Sequence, residues 1–267
     1  MLKKLGAILV VAVLIVSLAA CAGTPTPVPV DPETRAFEMY TEIMQRLSFG
    51  EDNPSGAYDI DVVMDMEMTM FGETISVTST GNLQMVVDGD NSKSVMIMTS
   101  DMGELGTMEM EIYMVIEDNT LTEFGFFVDG EDMSAFIPMD MMQAMMDDAI
   151  NMPDLYMEGL TSVEIDEVDG NTVMHLVLDG EMFTDFMMET MDGMMEGMFA
   201  ELGQMDFAIE VEDIKITIVV DSADNPLSMS MDMQMSIEVE GETLDMVAVI
   251  EYTFNAFGDD VNIVLPL

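Results

Sequence analysis

The sequence predicts an α+β fold: one curved antiparallel β-sheet, a half-barrel, with a few helices covering its concave face. Three observations point there. Long stretches alternate apolar and polar residues with a period of two, as in "MDMEMTMF" at 64–71. Short clusters of Asp, Asn and Gly separate these stretches, as tight turns require. Apolar residues spaced three and four apart occur in only three segments. Antiparallel ribbons that are apolar on one side need a cover for that side, and a curved sheet wrapped over helices supplies one.

The first helix is expected over "DPETRAFEMYTEIMQRL", with Asp31 as N-cap, Pro32 in the first turn, and Ala36, Tyr40, Ile43, Met44 and Leu47 on one face. From Tyr58 the period becomes two. Tyr58, Ile60, Val62, Met64, Met66, Met68 and Met70 point one way; Asp59, Asp61, Asp65, Glu67 and Thr69 point the other. "FGET" turns the chain, and Ile75, Val77, Leu83, Met85 and Val87 line the return strand. Similar ribbons follow, joined at "VDGDNSKS", "EDNT" and "VDGEDMS". "PMDMMQAMMDDAIN" reads as a short helix. A hairpin on "EVDGNTVMHLVLDG" leads into a longer one, "EMFTDFMMETMDGMMEGMFAEL", where Asp185, Glu189, Asp192 and Glu196 oppose Phe183, Met187, Met191, Met194, Met198 and Leu202. Strands then return. Phe207, Ile209 and Val211 share a face that Ile214, Ile216, Ile218 and Val220 continue after a change of parity, so a bulge is expected near Glu212 and Asp213. "LSMSMDMQMSIEVE", "LDMVAVIEYTF" and "VNIVLPL" close the sheet.

The amino terminus differs in kind. A basic "MLKK", a short apolar run and "LAAC" read as a secretory signal over residues 1–20 rather than a membrane span. The ending resembles a bacterial lipobox, which implies cleavage before Cys21 and lipidation of that thiol; an ordinary signal or an anchor helix with an incidental Cys is the alternative. Residues 21–32 are a Thr/Pro spacer of extended, semi-rigid character. Residues 33–267 then form one domain. The expected location is extracytoplasmic, anchored to the bacterial cell membrane by an N-terminal lipid.

Charge excludes one class of partner. Asp+Glu number 53 against Lys+Arg 6, a net charge of −47 that becomes −49 once Lys3 and Lys4 leave with the signal. Nucleic acid is therefore repelled, not steered. Catalytic sets are equally hard to assemble. The sole histidine, His175, lies in a strand without G-x-S-x-G nearby, and Cys21 is the only cysteine, so hydrolase triads and His/Cys zinc sites have no members. Carboxylate pairs for glycoside hydrolysis are lost among so many acids, and Trp 0 removes the usual sugar platform. No phosphate loop or calcium-loop spacing occurs. No cofactor and no metal is expected, and the protein is read as non-enzymatic.

Methionine remains, at 36 residues. Thioethers ligate Cu(I), and "MMQAMM" and "MMETMDGMMEGM" pair them at helical spacing, but the same spacing is simply an apolar helix face. The unbranched, polarizable side chain repacks around irregular partners, which suits a surface for variable apolar ligands. A compositional habit would leave the same trace.

The carboxyl end, "NPLSMSMDMQMSIEVEGETLDMVAVIEYTFNAFGDDVNIVLP", resembles the closing strands of bacterial envelope lipoproteins with the LolA/LppX-like fold, and in order with the lipobox, the early helix and the "EVDGNTVMHLVLDG" hairpin the likeness runs from Pro32 to Pro266. The chain departs from that group in its acidity and its lack of tryptophan. The resemblance implies a half-barrel with helices over its concave side around an apolar cavity that in some members holds lipid or acyl chains. On that basis the expected partners are the membrane, through Cys21, and a lipid or other apolar small molecule. Its expected lining is Met64, Met66, Met68 and Met70 from the first strand, Met110, Met145 and Met191 from the middle, and Met229, Met231, Met233 and Met235 near the end. The alternative is a structural or protein-interaction module of the cell envelope whose Met-rich core is filled.

Overall fold

The computed structural model describes residues 56–70, 73–88, 91–118, 120–136, 142, 159–185, 188, 207–222, 225–239 and 242–257. The signal, Cys21, the spacer, the helix expected from Asp31 and the closing "VNIVLPL" lie outside them. Twelve strands account for most of what is described: β1 Gly56–Met70, β2 Glu73–Asp88, β3 Asn91–Asp101, β4 Thr107–Glu117, β5 Thr120–Val128, β6 Glu131–Asp132, β7 Leu160–Val168, β8 Asn171–Leu178, β9 Phe207–Val211, β10 Ile214–Val220, β11 Pro226–Val239 and β12 Glu242–Phe257. All belong to one antiparallel sheet in the order β6-β5-β4-β3-β2-β1-β12-β11-β10-β8-β7, with β9 also on β11. Among the described strands the sheet does not close, and its order runs from β6 at one end to β7 at the other.

Turn chemistry sets the hairpins. Asp129-Gly130 and Asp169-Gly170 both take positive φ, which a two-residue loop of the type favoured between right-twisted strands demands and which Asp-Gly tolerates. The long β1–β2 ladder runs without slippage from Gly56↔Val87 to Met70↔Glu73. Because a one-residue slip would send every methionine to water, the alternation itself pins the register.

One face carries the core. Ile60, Val62, Met64 and Met66 on β1, Val77, Leu83 and Met85 on β2, Met229 and Met231 on β11, and Met246, Ala248 and Ile250 on β12 are buried members of a single cluster. The outer face is mostly polar and laced by side-chain hydrogen bonds. Asn82 donates to Asp59 at 2.7 Å and to Asp61 at 3.0 Å, Thr78 donates to Asp65 at 2.7 Å, and Ser236 donates to Asp245 at 3.1 Å. A patch on β3–β5 is an exception: the Tyr113 ring stacks on Phe127 with centroids 6.3 Å apart and lies so close over Gly125 that a Cβ there would meet it at 2.0 Å. Val95 and Val115, on the same face, are buried.

The parity change expected near Glu212 and Asp213 is present. β9 pairs with β11 at Val211↔Met235 and β10 resumes at Lys215↔Asp232, one residue longer on the β9–β10 side, so Ile209, Val211, Ile214 and Ile216 all stay buried. This bulge also receives a helix. Residues 180–185 are helical; Asp179 accepts from the Glu181 N–H at 2.9 Å as N-cap, and Thr184 Oγ1 accepts from the Val211 N–H at 2.8 Å. Gly180 sits where a Cβ would come within 2.2 Å of the Val211 carbonyl, so only glycine permits the approach that buries Phe183 in the core cluster.

Candidate ligand-binding face

Register places the methionines of distant segments side by side. β12 lies between β1 and β11, and across it run the rows Met64–Ile250–Met231, Met66–Ala248–Met233 and Met68–Met246–Met235, with Val62–Tyr252–Met229 next. The opening stretch and the "SMSMDMQMSI" stretch therefore belong to one surface, separated by a single strand. Met64 is 0% exposed; Met66, Met229, Met231, Met233 and Met235 are buried, and Met68 packs against them half-buried. Met70 ends β1. Met110 is buried on β4, where it pairs with Met98, which faces Gly81 on β2. Met145 and Met191 lie outside the described residues.

The lining expected from the sequence omitted several members of the face. Met96, Met98, Met108 and Met174 are buried on it and follow the same two-residue parity, so extending that count through "VMIMTSD", "TMEMEIYM" and "TVMHLVL" finds them. From outside the strands Met102, Met133, Met142, Phe183 and Met188 join the cluster. The bulk in the middle is uneven: Ala248 stands between Met66 and Met233, and Gly81 between Val62 and Met98.

Among the described residues the buried part of the face carries no charge. Among the described residues the buried polar side chains are four serines, Ser79, Ser92, Ser94 and Ser100, with the Ser79 and Ser100 hydroxyls 2.7 Å apart. Carboxylates sit on the other side of the sheet, where hydrogen bonds from Asn255 and then Asn82 hold the Asp61 carboxyl below the ordinary carboxylate range. His175 is outward too: 46% exposed, 3.1 Å from Thr217 Oγ1 and 3.8 Å from Asp166. Among the described residues no group of three or more His, Cys, Asp or Glu is placed to hold a metal ion. Chemically the buried described part of the face offers thioethers, aliphatic groups and a few hydroxyls, and no ionised group.

Fold and face together define, over the described residues, an open, single-sheet antiparallel β-protein with one thioether-rich side whose buried side chains are uncharged. The chain belongs to the family of unknown function DUF6612, whose sequence pattern matches residues 51–266. No curated protein matches it. Among solved structures it is similar to the ywiB protein from Bacillus subtilis, at 9% identity and a TM-score of 0.25 over 75% of this chain and 94% of that one. A DUF1329 family protein from Desulfovibrio piger gives 13%, a TM-score of 0.28, and 88% and 96% of the two chains. A protein described as an "outer membrane lipoprotein-sorting protein domain" from Vibrio parahaemolyticus gives 12%, 0.22, 84% and 92%. At these values each likeness is loose and carries nothing about ligand or location.

Proposed function

We propose that the protein is a non-enzymatic extracytoplasmic lipoprotein, anchored through Cys21, that binds or carries a lipid or acyl chain between the methionine face of a curved sheet and the helices above it. The observation behind this is the row Met66–Ala248–Met233: flexible thioethers flank a residue with no bulk at the centre of an uncharged face. Leu or Val would specify a rigid core there, whereas methionine repacks around whatever lies against it. Burial stabilises by about 0.8 kcal/mol per methylene, so a single acyl chain can leave a bilayer for such a face at little net cost. Native mass spectrometry of the full chain after mild extraction tests this. A co-purifying apolar mass supports carriage, and a clean protein mass in repeated preparations refutes it.

A filled core is the second reading, and one observation favours it. Met64, Met98 and Met174 are 0% exposed, closed in by the protein's own atoms. On that reading the face is the interior of a structural or protein-interaction module, and its methionines are packing alone.

A further inference from the structure

β3 differs from the other strands of the inner face. Its inward side chains run Ser92, Ser94, Met96, Met98, Ser100, where β11 presents only apolar ones. Ser100 is answered by Ser79. The hydroxyls of Ser92, 6% exposed, and Ser94, 3% exposed, have no hydrogen-bond partner among the described residues. Their cross-strand neighbours offer none: Ser94 lies between Met85 and Met114, and Ser92 between Val87 and Ile116. A hydroxyl taken from water into such surroundings loses its hydrogen bonds without replacement, and buried polar groups are seldom left in that condition. Alanine at both positions would serve a filled core better.

We propose that Ser92 and Ser94 are the polar end of the ligand site and donate their hydroxyl hydrogens to the ester or amide carbonyl of an uncharged amphipathic lipid. The inference rests on the carrier reading and narrows its ligand. Two hydroxyls one strand period apart, roughly 7 Å, form a small donor patch at one end of the face. From Ser94 to Ser100 the strand runs about 20 Å past Met96 and Met98, more than the roughly 15 Å of one leaflet's hydrocarbon. A chain held by its carbonyl at Ser94 thus has thioether along its length. An anionic end is disfavoured because no buried described side chain is cationic, and a desolvated carboxylate or phosphate without a partner is expensive. The acids of the outer face repel it as well.

Three chain-matched pyrene probes given to the full chain in mild detergent at pH 8 decide this: a hydrocarbon, its methyl ester and its free acid. The ester is expected to bind about fivefold more tightly than the hydrocarbon, the value of one neutral hydrogen bond, and the acid more weakly than the ester. The double variant Ser92→Ala/Ser94→Ala should bring ester binding down to the hydrocarbon level while hydrocarbon binding and the thermal midpoint hold, since no hydrogen bond within the protein is lost. Ser94→Thr, which keeps a hydroxyl, should retain the preference. Equal binding of ester and hydrocarbon by the parent, tighter binding of the acid, or loss of both probes alike in the double variant overturns the inference. Binding of none of the three overturns the carrier reading itself.

Discussion

Ala248→Leu separates an occupied cavity from a filled core by the sign of its effect. Ala248 is buried at the centre of the inner face, with Met66 beside it on β1 and Met233 on β11. Leucine adds three carbon atoms. If protein atoms already fill the space above, the addition must displace them, and overpacking costs about 1–3 kcal/mol. For a chain of this size that lowers the thermal midpoint by roughly 2–12 °C, at 2–4 °C per kcal/mol. If the space belongs to a ligand, the new carbons are taken out of water and stabilise the empty protein by up to about 2.4 kcal/mol, at 0.8 for each. They also occupy volume that the ligand needs. Thermal or urea unfolding of the empty protein, together with uptake of a fluorescent hydrocarbon, measures both consequences. A carrier gives an unchanged or raised midpoint and reduced uptake. A midpoint lowered by several degrees, with no uptake in the parent, refutes the reasoning that methionine here marks a site.

Cys21→Ser should leave the protein uncleaved or free of the membrane fraction, and a fully processed variant that still sediments with membranes would contradict the lipid anchor. Gly81→Ala should destabilise by about 1–3 kcal/mol in urea, because its Cβ would lie 2.3 Å from the Ile97 carbonyl oxygen and 2.6 Å from Met98 Cγ; an unaffected midpoint would mean that β2 and β3 are not so closely apposed. Asn255→Ala removes the larger of two hydrogen bonds to Asp61, so the Asp61 pKa measured by NMR should rise toward its ordinary value. A carboxyl whose folded pKa is lowered contributes stability above its unfolded pKa of about 3.9 and loses that contribution as pH falls through the folded value. The variant should therefore lose part of the pH dependence of unfolding below about pH 4, and an identical acid profile would exclude the bond.

Much of the sheet was legible because its parity is simple. In β1 and β11 every inward position is apolar, and the break at Glu212 and Asp213 shows as a shift in that count. Other irregularities leave no such trace. Thr122 and Asn255 are extra residues in β5 and β12, revealed only by pairing that passes from Val115↔Glu123 to Ile116↔Leu121 and from Asp59↔Ala256 to Ile60↔Phe254. Thr122 is accommodated when its hydroxyl donates to the Val115 carbonyl at 3.2 Å, a contact that no local pattern encodes. The adjacency of β1 and β12 was equally hidden, since it depends on long-range pairing rather than composition, whereas the β11–β12 hairpin was legible in the "EGET" turn. The inward serines were partly hidden as well. "NSKSVMIMTSD" has polar residues on both faces at its start, and only the parity of Met96 and Met98, blurred by Val95 and Ile97 on the other side, turns Ser92 and Ser94 rather than Asn91 and Lys93 toward the core.

The place of β12 bears on how the chain reaches its native state. The last described strand inserts between the first and the one before it, so β1–β6 and β7–β11 must wait as two partial sheets until residues near 250 find residues near 64. Closing so long a loop is slow, and the open flank of β1 meanwhile offers unpaired amides to any neighbouring molecule. Two copies of β1 zipped together would set Asp59, Asp61, Asp65 and Glu67 of one against those of the other, and like charges in opposition disfavour the pairing. On the inward side, methionine is less prone than valine or isoleucine to lock into β-structure with a stranger. The alternation of thioether and carboxylate thus guards an unfinished sheet against self-association until its keystone strand arrives.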